Sequence, residues 1–204
     1  LSSISGAFRL SAEESTYAAD TLVAALNNSK LSVETLRLGI QYMGSTAKDN
    51  NTSLNELAAT LGVLADAGIR GSTGATGLRQ LYQDLNDPNE KLLEQLKQLG
   101  LTTDDIDIKT LGLVEVLRRL EGAGFSAYGG LETRAGNVYR ALAPVTDEIV
   151  RQTAATQDMG AAQDAAAVRT DTVSARWTQF LSTMSEFAAE LGELVNGPAR
   201  LLID

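Results

Sequence analysis

Apolar residues recur three and four positions apart through most of the first 143 residues, the spacing that places side chains on one face of an α-helix. Alternating patterns typical of strands are almost absent. The sequence therefore predicts an all-α fold, an irregular bundle of six or seven short helices over residues 1–143. Its clearest stripe consists of Leu54, Leu57, Ala58, Leu61, Leu64 and Ala65.

The ends of the helix that carries this stripe are marked by polar residues and glycine. Ser53 and Glu56 have the spacing of a capping box, in which each side chain accepts a hydrogen bond from the other residue's backbone N–H. Gly68, Gly71 and Gly77 follow the stripe and are assigned to turns, because glycine adopts positive φ without steric cost. The segment is thus predicted to be a helical hairpin.

The next helix is predicted to follow the same rules. Asp87 is interpreted as its N-cap, Pro88 as its first residue and Glu90 as the partner in a second capping box. Gly100 is the predicted stop. Ser32 caps an earlier helix, and residues 102–109 form a loop with a short turn. Further helices are predicted at residues 12–26, 110–120 and 131–142.

After Pro144 the composition becomes rich in alanine and polar residues, which predicts a second region, residues 144–204, built on one extended helix from Val145 to Val195. Such a helix would be roughly 75 Å long. Its second half carries a heptad pattern that favours a coiled coil with other copies or packing onto another protein. The alternative is that this helix folds back on its own globule. The predicted seam consists of Val173, Trp177, Phe180, Met184, Phe187, Leu191 and Leu194, and the same register continues upstream to Thr156, Gln152 and Ile149.

Composition excludes several classes of chemistry. The chain has no cysteine and no histidine, which removes disulfides, thiolate catalysis, zinc sites and most acid–base triads. Its net charge of −9 disfavours nucleic-acid binding. No apolar run reaches 18 residues, so no membrane span is predicted. The amino end lacks a signal-peptide pattern and an initiator methionine, which indicates a piece of a longer protein.

Two groups of residues could suggest a ligand site. The glycine-rich stretch 68–77 lacks the lysine of a phosphate-binding loop and follows a helix instead of a strand. The carboxylates Asp104, Asp105 and Asp107 lack the spacing of a calcium loop. Both groups are interpreted as structural or solvated, so no catalytic, cofactor or metal site is predicted.

The pattern of helices, glycines and leucines resembles the core region of phage tail tape measure proteins of the TP901 type, over roughly residues 10–130. This chain departs from the family pattern at residues 73–76, where it reads TGAT. The matching positions are Leu64, Ala65, Ala67, Gly68, Ile69, Gly71, Ser72, Gly77, Leu78, Arg79, Leu81, Leu85 and Pro88.

The resemblance implies a structural protein of a bacteriophage or prophage. A few copies would associate in the tail lumen during assembly in the host cytoplasm, set tail length and leave when DNA is ejected. The implied partners are other copies, tail-tube, baseplate or tail-tip proteins and an assembly chaperone, with no cofactor. An alternative is a membrane-active or secreted helical effector, which the acidic charge disfavours. An enzyme is the weakest hypothesis, because only a carboxylate pair could serve as its catalytic groups.

Overall fold

A computed structural model of the protein describes residues 12–128 and 130–157. Residues 24–157 form a compact unit. The described residues contain no strand, which confirms the all-α fold for them. The α-helices are α1 Ala12–Asn28, α2 Val33–Asp49, α3 Leu54–Asp66, α4 Gly71–Asn86, α5 Glu90–Gln98, α6 Ile108–Leu111, α7 Leu113–Gly122, α8 Thr133–Leu142 and α9 Thr146–Ala155.

Two serines start helices as the sequence predicts. The Ser32 side chain accepts a hydrogen bond from the Thr35 N–H at 3.1 Å, and the Ser53 side chain accepts one from the Glu56 N–H at 3.1 Å. The return bond of the predicted capping box is replaced by a longer-range contact. Glu56 accepts a hydrogen bond from the backbone of Leu113, at the start of α7.

The predicted start of α5 is wrong by two residues. Asn89, not Asp87, is the N-cap, and its side-chain oxygen accepts a hydrogen bond from the Leu92 N–H at 3.0 Å. The Asn89 amide nitrogen also donates to the Gly130 carbonyl at 3.0 Å, a bond that an aspartate could not donate. Pro88 therefore lies in the linker before the helix.

Three of the glycines assigned to turns have positive φ at helix ends. Gly68 (φ 85°) follows α3, Gly100 (φ 74°) follows α5, and Gly71 (φ 60°) is the first residue of α4. Gly77, in contrast, lies inside α4, so its assignment to a turn is corrected. Gly112 (φ 79°) divides α6 from α7, a break that the apolar pattern of residues 110–120 did not indicate.

The core of the unit formed by residues 24–157 is built around α3 and α4. Helix α4 packs between α2 and α8, while α3 contacts α2, α4, α8 and α9. Nearly every residue of α3 is buried, which fits a helix with neighbours on several sides. The largest side chains with almost no exposure in α2, α3 and α4 are Leu36, Met43, Leu57, Leu64, Leu78, Leu81 and Tyr82.

Gly77 allows α4 and α8 to come close together. A Cβ atom at Gly77 would lie 2.8 Å from Val138 Cγ2 and 3.0 Å from the Arg134 carbonyl oxygen of α8. A Cβ at Gly39 would lie 2.4 Å from Leu61 Cδ1, so α2 approaches α3 in the same way. The glycine within α4 is thus required by packing between helices, which its local sequence does not reveal.

The predicted long helix begins as expected, but α9 ends at Ala155, so it does not run without interruption through the described residues. The part predicted from residue 158 onward lies outside them. Hydroxyl groups bond back to carbonyls near this end: Thr153 Oγ1 donates to Ile149 O and Thr156 Oγ1 donates to Thr153 O, each at 2.7 Å. Such bonds compete with the backbone ladder of a helix. The boundary predicted between residues 143 and 144 falls inside the unit, since α9 packs against α3.

Candidate interaction surfaces

The predicted coiled-coil seam lies outside the described residues. Those residues end at Gln157, so the surfaces that can be built from contacts are those near this point and on the outer faces of the helices. The seam residues concerned are Val173, Trp177, Phe180, Met184, Phe187, Leu191 and Leu194.

The upstream continuation of the heptad register does lie in the described part, on α9. Ile149, Gln152 and Thr156 retain 0%, 6% and 1% of their exposure, and α9 packs against α3. This stripe therefore faces the chain's own globule. For these three positions, the alternative in which the segment folds back is the one that the structure supports.

Polar contacts join α9 to α3 at two points. The Asn55 amide donates to the Thr156 carbonyl oxygen at 2.9 Å and to its hydroxyl at 3.2 Å. At the other end of α3, the Gln152 amide donates to Asp66 Oδ2 at 3.4 Å and to Glu148 Oε1 at 2.9 Å. The start of α3 thus lies beside the end of α9, and the last residue of α3 lies near Gln152.

Gly62 makes this close packing possible. A Cβ there would lie 2.7 Å from Gln152 Oε1 and 3.1 Å from Ser29 Cβ. The neighbouring Asp66 also accepts a hydrogen bond from the Lys30 backbone N–H at 2.8 Å. This contact region, which we call the joint, therefore connects α3, α9 and the link between α1 and α2 through small and polar groups.

A groove of about 420 Å³ runs between α7 and α9 beside this joint. Its apolar lining includes Leu111, Val114, Val150 and Ala154, and Val150 keeps 46% of its exposure. Arg118 at the rim forms an exposed ion pair of 2.6 Å with Asp147. The groove presents apolar side chains to the outside of the described unit.

Glu56 lies in the wall of this groove. Burial raises the pKa of the Glu56 carboxyl, while the hydrogen bond from the Leu113 backbone acts in the opposite direction. The carboxyl supplies the acceptor that the α7 N-terminus lacks, because Gly112 at its N-cap has no side chain. Glu56 therefore joins α3 to α7, a role that a capping-box pattern alone could not indicate.

The acidic cluster of residues 104–107 serves as helix caps. Asp105 Oδ2 accepts hydrogen bonds from the Thr102 N–H and hydroxyl, both at 2.9 Å, and Oδ1 accepts one from Arg119 at 2.8 Å. These bonds, chiefly the one from the Thr102 backbone, lower the pKa of Asp105. Among the described residues there is no group of three or more carboxylate side chains arranged to hold a metal ion.

The glycine-rich stretch does not form a phosphate cradle in the described structure. Gly71 to Gly77 make the first turns of α4, and a Cβ at Gly74 would lie 2.9 Å from the Ile69 carbonyl oxygen.

Among the described helices, none has the length and hydropathy required to cross a bilayer.

Tyr128 is a further feature of the surface, which the sequence pattern did not single out. It retains 73% of its exposure, and the Arg140 guanidinium lies 4.8 Å from its ring centroid. Its carbonyl accepts a hydrogen bond from the Gln95 amide at 2.8 Å. An aromatic ring beside arginine is a composition enriched at protein interfaces.

The described residues thus form an all-helical unit with capped helices and close helix packing at glycines. Residues 1–170 match the phage-related minor tail protein family, and the chain belongs to this family. The assignment to the TP901 type remains a prediction.

Two relatives align with more than half of this chain. The chain is 29% identical over 123 residues to the probable tape measure protein of Escherichia phage P2, covering 60% of this chain and 15% of that protein. It is 28% identical over 117 residues to the tape measure protein of Pneumococcus phage Dp-1, covering 57% of this chain and 10% of that protein. The aligned parts are therefore small fractions of these relatives. No solved structure matches the chain.

Proposed function

We propose that this chain is a segment of a tape measure protein and that its role is structural. The observation that carries the proposal is the family match over residues 1–170. Two relatives with that name align over more than half of the chain, and the helical fold agrees with such a role.

The two regions of the chain would contribute differently to length. A unit of roughly 130 residues with the packing of 24–157 has a radius of gyration of only about 14 Å. The same number of residues in one helix would span roughly 200 Å. We therefore assign the compact unit to an anchoring role at one end of the ruler, and the predicted extended segment after it to the part that measures length.

The proposed partners follow from this arrangement. A few copies associate through the seam from Val173 to Leu194, and the compact unit contacts tail-tube, baseplate or tail-tip proteins, or an assembly chaperone. The protein would lie in the tail lumen of the virion, after assembly in the host cytoplasm. The net charge of −9 would limit adhesion to the DNA that passes through the same tube.

Tail length tests the ruler role in a phage that encodes this chain. Three added tandem copies of residues 173–194 should lengthen tails by roughly 100 Å, at 1.5 Å per helical residue, as measured by electron microscopy. An insertion of equal length after Gly100, in an exposed turn of the compact unit, is the matched control and should leave tail length unchanged. Equal effects of the two insertions would contradict the proposed division of roles.

Light scattering of the 204-residue chain tests self-association separately. The wild type should be a multimer, and a variant with Trp177→Ser, Phe180→Ser and Phe187→Ser should be a monomer, because the variant loses the large apolar residues of the seam. Leu181→Ser, outside the seam register, should leave the multimer intact. A monomeric wild type at tens of micromolar would remove the seam from the proposal.

A further inference from the structure

Helix α9 buries fewer large apolar side chains in the compact unit than α7 does. Within the ten residues of α9, Ile149 is the one large apolar side chain that is fully buried. Helix α7, which also has ten residues, buries four. Since burial of apolar area supplies most of the docking free energy, α9 has much less of it than α7. The buried apolar residues of α7 are Leu113, Val116, Leu117 and Leu120.

The hydrogen bonds between α9 and α3 can be exchanged for water. They are the bonds of Asn55 to Thr156 and of Gln152 to Asp66. Such bonds contribute little net free energy because both partners bond to water when separated. On α3, these contacts come from two polar residues, Asn55 and Asp66, and Gln152 also approaches Gly62.

The link before α9 permits movement without breaking either neighbouring helix. A 3₁₀ turn, Ala143–Val145, joins α8 to α9 and contains Pro144, which has no N–H to donate. Val145, the N-cap of α9, makes no side-chain capping bond. The exposed ion pair between Arg118 and Asp147 contributes little to holding α9 in place.

We propose that α9 is a releasable latch that undocks from α3 by rotation about the Pro144 turn, while α2 to α8 remain folded. Release uncovers the Gly62 face of α3 and frees the stripe of Ile149, Gln152 and Thr156. It also extends the chain beyond the globule by about 15 Å, the length of a ten-residue helix. The latch is a property of the compact unit and stands whether or not the chain measures a tail.

Because the chain contains no cysteine, a single introduced thiol can report the opening. Thr156→Cys places a thiol at the buried C-cap of α9. Thr60→Cys is the matched control: both threonines are 1% exposed, and both hydroxyls donate to a carbonyl of their own segment at 2.7 Å. Gln157→Cys gives the rate for an exposed thiol.

The full chain is labelled with a thiol reagent under native conditions. Thr156→Cys should react at least 10-fold faster than Thr60→Cys and at least 10-fold more slowly than Gln157→Cys. Adding Ile149→Ala, which removes the large buried apolar side chain of α9, should accelerate the Thr156→Cys reaction several-fold and leave Thr60→Cys unchanged. Equal rates at positions 156 and 60 would overturn the proposal, and so would equal rates at 156 and 157.

Hydrogen exchange tests the opening of α9 in the chain without any substitution. Amides of α9 should exchange at least 10-fold faster than amides of α7, the helix of equal length with the larger apolar contact. Exchange of both helices at one common rate would mean that α9 opens only when the whole unit unfolds, and would overturn the latch.

Discussion

Replacing Gly77 with alanine tests whether close packing, and not a turn, requires the glycine in α4. In an isolated helix this change is favourable by about 1 kcal/mol, because alanine has the higher helix propensity. In the folded protein the new Cβ would meet Val138 Cγ2 at 2.8 Å and the Arg134 carbonyl oxygen at 3.0 Å. The carbonyl belongs to the backbone, so α8 must move to make room.

Overpacking of this kind costs about 1–3 kcal/mol. Val138 is β-branched and sits in a helix, so its χ1 angle has little freedom to relieve the contact. After subtraction of the gain in propensity, we expect Gly77→Ala to lower the free energy of unfolding by up to about 2 kcal/mol. For a chain of this size that corresponds to a fall in Tm of up to about 8 °C.

Urea denaturation followed by far-UV circular dichroism measures the effect, with Gly122→Ala as the matched control. A Cβ at Gly122 meets nothing within 4 Å, so this variant should be as stable as the wild type or up to about 1 kcal/mol more stable. The double variant Gly77→Ala with Val138→Ala should be more stable than the sum of the two single effects predicts, because Val138→Ala removes the clashing Cγ2 atom. If Gly77→Ala were more stable than the wild type by the full gain of about 1 kcal/mol in helix propensity, the packing role of Gly77 would be refuted.

Three further predictions concern single side chains. Ser53→Ala removes the N-cap of α3 and should lower the free energy of unfolding by about 1 kcal/mol in urea titrations; no change would contradict the capping role. Because burial raises the folded pKa of Glu56, its ionisation costs stability as pH rises through that pKa. Glu56→Gln, which keeps an acceptor for the Leu113 N–H, should therefore be at least as stable as the wild type at pH 7. Its advantage should shrink as pH falls through the raised pKa of Glu56 and be lost below 4.5, the pKa of an unperturbed glutamate. Glu56→Ala should lower the free energy of unfolding by about 1–3 kcal/mol, because the Leu113 N–H loses its acceptor. Urea titrations at pH 4 and 7 measure both variants. If Glu56→Gln and Glu56→Ala were destabilised equally, the reasoning would be contradicted. Tyr128→Ser should change the unfolding free energy by less than about 0.5 kcal/mol, since the ring is 73% exposed; a larger loss in thermal melts would show that the ring stabilises the fold.

The features that sequence reasoning predicted correctly are those set within one turn of a helix. Ser32 and Ser53 cap helices because a side-chain oxygen needs only to reach an N–H three residues ahead. The leucine stripe of α3 is buried because its period matches the helix. These rules involve neighbours along the chain, so they hold before any packing is known.

The corrections arise where a distant residue competes for the same group. Asn89 replaces Asp87 as a cap because its amide also reaches Gly130, and Glu56 turns away from Ser53 because α7 needs an acceptor. The stripe on α9 lies against α3 because Gly62 leaves room for Gln152. In each case the deciding partner lies far along the chain.

The amino-acid sequence by itself determined the helical class, most helix starts and stops, the lack of cysteine and histidine chemistry and the resemblance to tail proteins. Each of these depends on residue type or on spacing within a few positions. Only the tertiary structure decided that Gly77 lets α4 pack closely on α8 and that Glu56 caps α7. It also decided that α9 packs on α3 with polar contacts between them. Those features depend on distances between segments that the order of residues does not specify, because helices of the same pattern can pack in several ways.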